Sequence, residues 1–295
     1  DRFLVDAITA GLRTLGAEYR TPADLRPAQT VTIVHGKADP IDWSATIIDL
    51  ALRGYLVIDE TEESGLLGKK QKYAFTKTAK DWTGVLPFER RLLDGLFTGR
   101  DTVKLDDLQK KFATITQSIQ KELYEDVTRN GYFDANPQTA RSWGYGVASV
   151  LGAIGAFAPA FLPPFWIVGF LLAALVFAGF AHSFPRRTEK GVAVREKILG
   201  LKEYMSVAEK DRMNFDDAPK RYATLLPYAL ALGVVASWSK RFEGMLTSPP
   251  DWYRGGSSTG FSPILFSNSL THFSPASAPT FTSTASSSGR GGGGF

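Results

Sequence analysis

The sequence of 295 residues contains no cysteine. This absence excludes disulfide bonds, thiolate metal sites and cysteine nucleophiles. The three histidines, His35, His182 and His272, lack acidic or hydroxyl partners at a spacing that catalysis uses. The sequence also lacks a Walker loop, a dinucleotide fingerprint, a metal-type histidine pair and a nucleophile elbow. These absences predict a protein that is not an enzyme, with no catalytic, cofactor-binding or metal-binding residues.

Residues 142–185 lack any charged side chain. A single helix of these 44 residues would be about 66 Å long, roughly twice the hydrocarbon thickness of a bilayer. Pro163 and Pro164 lie near the middle, and proline suits a tight turn. The segment therefore predicts a transmembrane helical hairpin of about 143–161 and 165–181, with the two prolines in the membrane turn. The alternative is a buried hairpin of a soluble protein. It is less favoured because a helix of a soluble protein normally keeps a polar face, and these helices have almost none.

Basic residues flank both outer ends of the hairpin, whereas its turn has none; they are Arg141, Arg186, Arg187, Lys190, Arg195 and Lys197. The positive-inside rule then predicts a multi-pass protein of the cell membrane with both flanks in the cytoplasm. Small residues at four-residue spacing line one face of the first helix, namely Gly144, Ala148, Gly152 and Ala156. The second helix, or a second copy of the chain in a homo-oligomer, can pack closely there. An equally weighted alternative is that Gly and Ala are simply common in membrane helices.

Before the hairpin, helical and strand patterns alternate. A helix predicted over 38–53 ends at Gly54, a residue that suits a helix end. Strands predicted over 55–58 and 72–76 flank a predicted polar loop, 59–71. The order of helix, strand, loop and strand is typical of the second half of a winged-helix unit.

A similar pattern follows residue 85, where another helix ends at a glycine that precedes an aromatic residue. The predicted elements are a helix over 86–98, a strand over 103–105, helices over 106–111 and 116–130, and a returning strand from Gly131 to Asp134. This repeat predicts two winged-helix-like units in tandem, 1–84 and 85–141.

A winged helix suggests DNA binding, which depends on clustered Lys and Arg that neutralise phosphates. Neither candidate recognition helix, 42–53 or 116–130, has such a cluster. Residues 1–141 carry a net charge of −1, whereas residues 186–295 carry +5. Residues 1–141 are therefore expected to bind a protein on the cytosolic side, and nucleic acid is an unlikely partner. The basic excess after the hairpin can meet anionic headgroups of the bilayer.

Residues 186–253 predict a cytosolic or interfacial helical region, with an amphipathic helix over 188–211 and a further helix over 222–242. The uncharged run 222–239 is long enough to cross a membrane. Pro227 and Gly233 interrupt it, so packing on the cytosolic domain or at the interface is preferred. Ser, Thr, Gly and Pro dominate from Arg254 onward, which predicts a disordered tail over 254–295.

Several motifs resemble a known family. They are Asp39–Asp59 (DPIDWSATIIDLALRGYLVID), Phe88–Asp94 (FERRLLD), Leu226–Gly233 (LPYALALG) with Trp238, and Pro250–Tyr253 (PDWY). In this order they resemble the cytoplasmic part of predicted bacterial membrane proteins of unknown function, the domain-of-unknown-function 2207 family. The resemblance implies no catalytic residue, since the family has no established activity. It implies an extracytoplasmic β-domain and a membrane helix before this region, and because the chain begins with Asp1 we expect a fragment of a longer protein.

Together these features predict an α+β protein with tandem winged-helix-like units, a transmembrane hairpin, a helical region and a disordered tail. Asp39, Asp42 and Asp49 are interpreted as helix caps and solvated residues rather than as a carboxylate site. The function expected is that of a non-enzymatic, membrane-anchored interaction or signalling module. The alternative is a membrane-tethered DNA-binding regulator.

Overall fold

The computed structural model describes residues 24–65, 68–157, 165–181, 185–207, 218–246, 248–255, 262–264 and 266–267. Within these residues the protein is mostly helical and has one small sheet, which confirms the predicted α+β class. The helices are α1 (Pro27–His35), α2 (Pro40–Leu52), α3 (Pro87–Phe97), α4 (Gln109–Arg129), α5 (Pro137–Phe157), α6 (Phe165–Phe180), α7 (Glu189–Ser206), α8 (Ala218–Ala231) and α9 (Val235–Arg241). The strands are β1 (Leu56–Gly65), β2 (Gly68–Lys77), β3 (Thr102–Lys104) and β4 (Tyr253–Arg254).

Helices α1 and α2 begin in the same way, with proline in the first turn and a side chain that caps the helix start. The amide of Arg26 donates to Gln29 Oε1 at 2.7 Å, and the amide of Asp39 donates to Asp42 Oδ2 at 2.7 Å. Each bond satisfies one backbone N–H near a helix start. Helix α1 ends at Gly36, whose φ of +72° is strained for residues other than glycine.

The sheet has the order β3-β2-β1-β4, with β2 antiparallel to β1 and β3, and β4 parallel to β1. The predicted polar loop 59–71 is wrong in extent, because β1 continues to Gly65 and β2 begins at Gly68. Glu and Lys have low strand propensity, which hid these strands in the sequence. Backbone pairing compensates for that propensity, since the antiparallel register is continuous from Leu56 opposite Lys77 to Gly65 opposite Gly68.

The helical region after β3 also differs from its prediction. The separate helices predicted over 106–111 and 116–130 are wrong: a 3-10 turn, Leu105–Leu108, leads into the single 21-residue helix α4. The intervening residues 112–115 contain no glycine or proline, and β-branched residues lower helix propensity only modestly.

The tandem winged-helix assignment stays a prediction. Strand β3 belongs to the second predicted unit, yet it pairs with β2 of the first unit. The returning strand expected after Gly131 is reduced to one isolated bridge between Phe133 and Arg187. The two predicted units therefore share one sheet.

The single helix predicted over 222–242 is wrong, because it breaks at Gly233, where φ is +75°. The resulting helices α8 and α9 have 14 and 7 residues. Helix α8 packs on α1 and α2, and the Tyr228 hydroxyl donates to the Leu25 carbonyl at 2.7 Å.

One hydrophobic core joins residues from both sides of the predicted hairpin. Ring centroids of Trp238 and Phe242 lie 4.8 Å apart, and those of Tyr222 and Phe242 lie 5.1 Å apart. The largest fully buried side chains include Ile33, Ile47, Phe75, Phe88, Tyr222, Trp238 and Phe242. The regions predicted as separate units thus fold around a common interior.

The described part of the predicted tail includes a contact with this domain. Phe266 is buried, and its ring lies 4.7 Å from Tyr253 and 6.0 Å from Trp252 between centroids. Packing on the aromatic pair of the PDWY motif therefore extends into residues for which disorder was predicted.

Candidate functional site

Helices α5 and α6 expose an unusual amount of apolar surface. Among the described residues, fourteen large hydrophobic side chains are exposed, and twelve of them lie on these two helices. The most exposed are Phe157 (75%), Trp143 (73%), Leu175 (71%) and Phe180 (64%). Contiguous apolar surface of this kind marks contact with a membrane or with another protein.

The two helices pack on each other and correspond to the predicted hairpin, 142–185. In the described part of the chain, no helix is both long enough and apolar enough to cross a membrane. The transmembrane character of the hairpin stays a prediction. Pro163 and Pro164, predicted to form its turn, lie outside the described residues.

The predicted small-residue face of α5 is only partly buried. Gly144 and Ala148 are buried, Gly152 is half-buried, and Ala156 is exposed. Gly155 contacts α6 more closely: a Cβ at this position would lie 3.0 Å from Phe170 Cβ. Four-residue spacing drifts around a helix of 3.6 residues per turn, so the buried face passes to Gly155 in the last turns.

Arg187, just after α6, holds the end of α1. Its Nε donates to the Ile33 carbonyl at 2.6 Å, and its Nη2 donates to the Val34 carbonyl at 2.8 Å. The last carbonyls of a helix have no partner within the helix and carry its partial negative charge, so a cation there is favourable. The guanidinium also lies 5.7 Å from the Phe133 ring centroid.

Arg141, at the start of α5, binds next to the same helix end. Its Nη1 donates to the Gly36 carbonyl at 3.0 Å, and its Nη2 donates to the Tyr124 hydroxyl at 2.8 Å. Tyr124 is fully buried and its hydroxyl also accepts from the Ala38 amide at 3.0 Å. We call Arg141 and Arg187 the arginine clamp, because Arg141 on α5 and Arg187 in the segment after α6 both bind the end of α1.

The start of α7 is fixed to the loop after α4 beside the clamp. The Thr188 hydroxyl donates to the Gly131 carbonyl at 2.6 Å and accepts from the Gly191 amide at 3.0 Å. A Cβ on Gly191 would lie 2.1 Å from the Tyr132 carbonyl oxygen, so only glycine fits. The junction between the helical pair and the domain is therefore closely packed.

A buried ionic cluster lies between α1, α2 and α3. Arg53 binds Asp49 at 2.9 Å and also binds Glu89, and Arg26 lies 3.5 Å from Glu89. Burial raises the pKa of Asp49 and that of Glu89, against the lowering effect of Arg53. The arginines compensate the two carboxylates, which is the usual arrangement for buried charge.

The other predicted helix-cap acids do not join this cluster. Asp39 forms an ion pair with Lys37 at 3.0 Å. Asp42 is buried and caps α2 through the amide of Asp39. Burial raises the pKa of Asp42 well above its usual value. The three aspartates near α2 therefore do not converge as a carboxylate site.

The two candidate recognition helices differ in exposure. Residues 42–51 of α2 are buried, which leaves that stretch no free face for a DNA groove. Helix α4 is more exposed, but its charges are mixed: Glu122 binds Arg91 at 2.8 Å and Lys121 lies 3.8 Å from Glu125. Phosphate binding depends on unpaired basic clusters instead.

The arginine clamp is the feature that sequence reasoning missed. Arg141 and Arg187 were interpreted only as charges that set topology. Their acceptors lie 105, 153 and 154 residues away. The sequence contains one indication of it: the helix that ends at His35-Gly36 has no Lys or Arg in its last turn. A donor from a distant part of the chain can therefore bind its last carbonyls.

A family model described as "Predicted membrane protein (DUF2207) C-terminal domain" matches residues 16–242. The chain therefore belongs to this family of predicted membrane proteins, which confirms the resemblance of its motifs. No curated protein matches the chain significantly. No solved structure matches it significantly.

Proposed function

We propose that this protein is a non-enzymatic, membrane-anchored interaction module, in which α5 and α6 enter the bilayer as a hairpin. The observation that carries the proposal is the exposed apolar surface of the two helices, on which side chains such as Phe157, Leu175 and Phe180 face outward. Lipid contact would remove this surface from water, and each Å² of apolar surface removed lowers the free energy by about 25 cal/mol.

Both legs of the hairpin return to the same side of the membrane in this proposal. The arginine clamp supports it, because Arg141 near the start of α5 and Arg187 after α6 bind one helix end. A domain with one continuous core cannot lie on both sides of a bilayer. The basic flanks favour the cytosolic side.

The domain around the junction is the part that would bind a protein partner. Its exposed helix α4 carries both signs of charge, as in the pairs Lys121–Glu125 and Arg91–Glu122. Complementary charges of both signs steer protein association and set specificity. A signalling role would follow if the partner responds to changes transmitted through the hairpin and the arginine clamp.

The chain lacks cysteine, so single introduced cysteines can test the hairpin directly. Leu175→Cys on α6 should resist a water-soluble maleimide in vesicles and react once detergent is added. The matched control is Arg100→Cys, at an exposed position in the turn before β3, which should react in both conditions when it faces the reagent. Equal labelling of both variants in intact vesicles with the domain outside would refute the membrane hairpin.

A further inference from the structure

The cations at the base of the helical pair divide into two kinds. Arg141 and Arg187 are half-buried, and backbone carbonyls occupy their guanidinium groups. Arg186 and Lys190 are exposed. These two exposed cations are not part of the arginine clamp, so they can bind a ligand outside the protein while the clamp stays intact. Lys190 donates one N–H to the Asn130 carbonyl, and its ammonium group has two further N–H donors.

The exposed pair lies where lipid headgroups would be if the hairpin enters a bilayer. Arg186 follows α6 within a few residues, and its backbone carbonyl accepts from the Asp134 amide at 3.1 Å in the junction. Lys190 lies in the first turn of α7, with its Nζ 2.7 Å from the Asn130 carbonyl and 4.7 Å from the Tyr132 ring centroid. These contacts place the Arg186 backbone and the Lys190 side chain beside the junction.

Exposed aromatic residues follow Arg141 on α5, next to the arginine clamp. Trp143 and Tyr145, two and four residues after Arg141, are 73% and 47% exposed. Trp and Tyr favour the boundary between headgroups and hydrocarbon. Residues 186–190 contain three cations and one acid, Glu189, so the segment is net positive at that level.

We propose that Arg186 and Lys190 form a binding site for the phosphate of anionic phospholipids in the leaflet that the hairpin enters. This inference rests on the membrane insertion proposed above and adds a lipid preference to it. Each basic residue near an anionic surface raises the association constant on the order of fivefold. Removal of both side-chain charges should therefore reduce the preference by at most about 25-fold.

The test uses the full chain reconstituted in mixed vesicles that contain trace spin-labelled phosphatidylglycerol or phosphatidylcholine. The wild-type protein should bind the anionic label several-fold more strongly, and added salt should weaken this preference. The double variant Arg186→Gln/Lys190→Gln should lose most of it. The matched control, Arg100→Gln/Lys104→Gln, removes two exposed charges at the far edge of the sheet and should retain the preference.

The outcomes separate the two proposals. A protein that fails to associate with vesicles of either composition overturns the membrane anchor as well as the lipid site. A protein that inserts but binds both labels equally overturns only the lipid site. Retention of the preference in the Arg186→Gln/Lys190→Gln variant also overturns it, because the selectivity would then come from other residues.

Discussion

Among the cations of the junction, Arg187 should cause the largest loss of stability when it is substituted. The substitution Arg187→Gln removes donors to the Ile33 and Val34 carbonyls. Hydrogen bonds from charged groups contribute about 1.5–3 kcal/mol each, and water can replace part of this at a half-buried site. We therefore expect the variant to lose roughly 2–4 kcal/mol of the free energy that keeps α1 closed.

Hydrogen exchange of the α1 amides measures this loss locally, in the folded full chain. The Gly36 amide donates to the Thr32 carbonyl at 2.7 Å at the same helix end, so its protection reports on the clamp. A loss of 2–4 kcal/mol corresponds to exchange that is about 30- to 1,000-fold faster. Helices distant from the junction should exchange at wild-type rates.

The adjacent residue supplies the control. Arg186→Gln makes the same charge change one position away, at an exposed side chain, and should alter stability by at most about 0.5 kcal/mol. Arg187→Lys keeps the charge but loses the planar fork that binds two carbonyls, so its effect should be intermediate. If Arg187→Gln accelerates exchange in α1 no more than Arg186→Gln does, the clamp does not stabilise this helix end.

Three further changes test the packing and the buried charge. Gly191→Ala should destabilise the junction by about 2–4 kcal/mol, since the new Cβ meets a carbonyl, whereas Gly200→Ala on the same helix meets open space and should be neutral or stabilising in urea unfolding. Gly155→Val should separate the two legs, measured as loss of pyrene excimer between labels on α5 and α6, and Gly146→Val, with no neighbour within 4 Å, should preserve the excimer. The raised pKa of Asp42 means that its contribution to stability is present below the usual carboxyl pKa and is lost as pH rises through the raised pKa. Asp42→Asn should therefore gain unfolding free energy relative to wild type at pH 8 but not at pH 4, and a pH-independent difference would contradict this.

The sequence predictions that agree with the structure depend on local sequence patterns. The helix predicted over 38–53 appears as α2, and that predicted over 86–98 appears as α3, because proline, capping residues and apolar periodicity all lie within each segment. The break at Gly233 had a visible signal, yet the apolar run around it outweighed that signal. Strands β1 and β2 were underestimated because their outer halves depend on pairing with each other.

The clamp could not be predicted from such patterns. Arg141 and Arg187 stand out in the sequence, but their flanking position has a sufficient explanation in the positive-inside rule. Their second role depends on the end of α1, which lies more than 100 residues earlier. The two residues predicted to set topology thus also cap α1, and only the tertiary structure separates them from Arg186 and Lys190.

The continuous core has a consequence for the order of folding. Tyr228 and Leu25 are joined by a hydrogen bond across 203 residues, and α8 packs on α1 and α2. The part of α1 and α2 that α8 covers therefore stays exposed until the segment after the helical pair has been made. Closing such distant contacts is slow and leaves apolar surface exposed meanwhile. A hairpin whose two legs are fixed to one helix end would hold both halves of the domain close together, which reduces the entropic cost of forming that core.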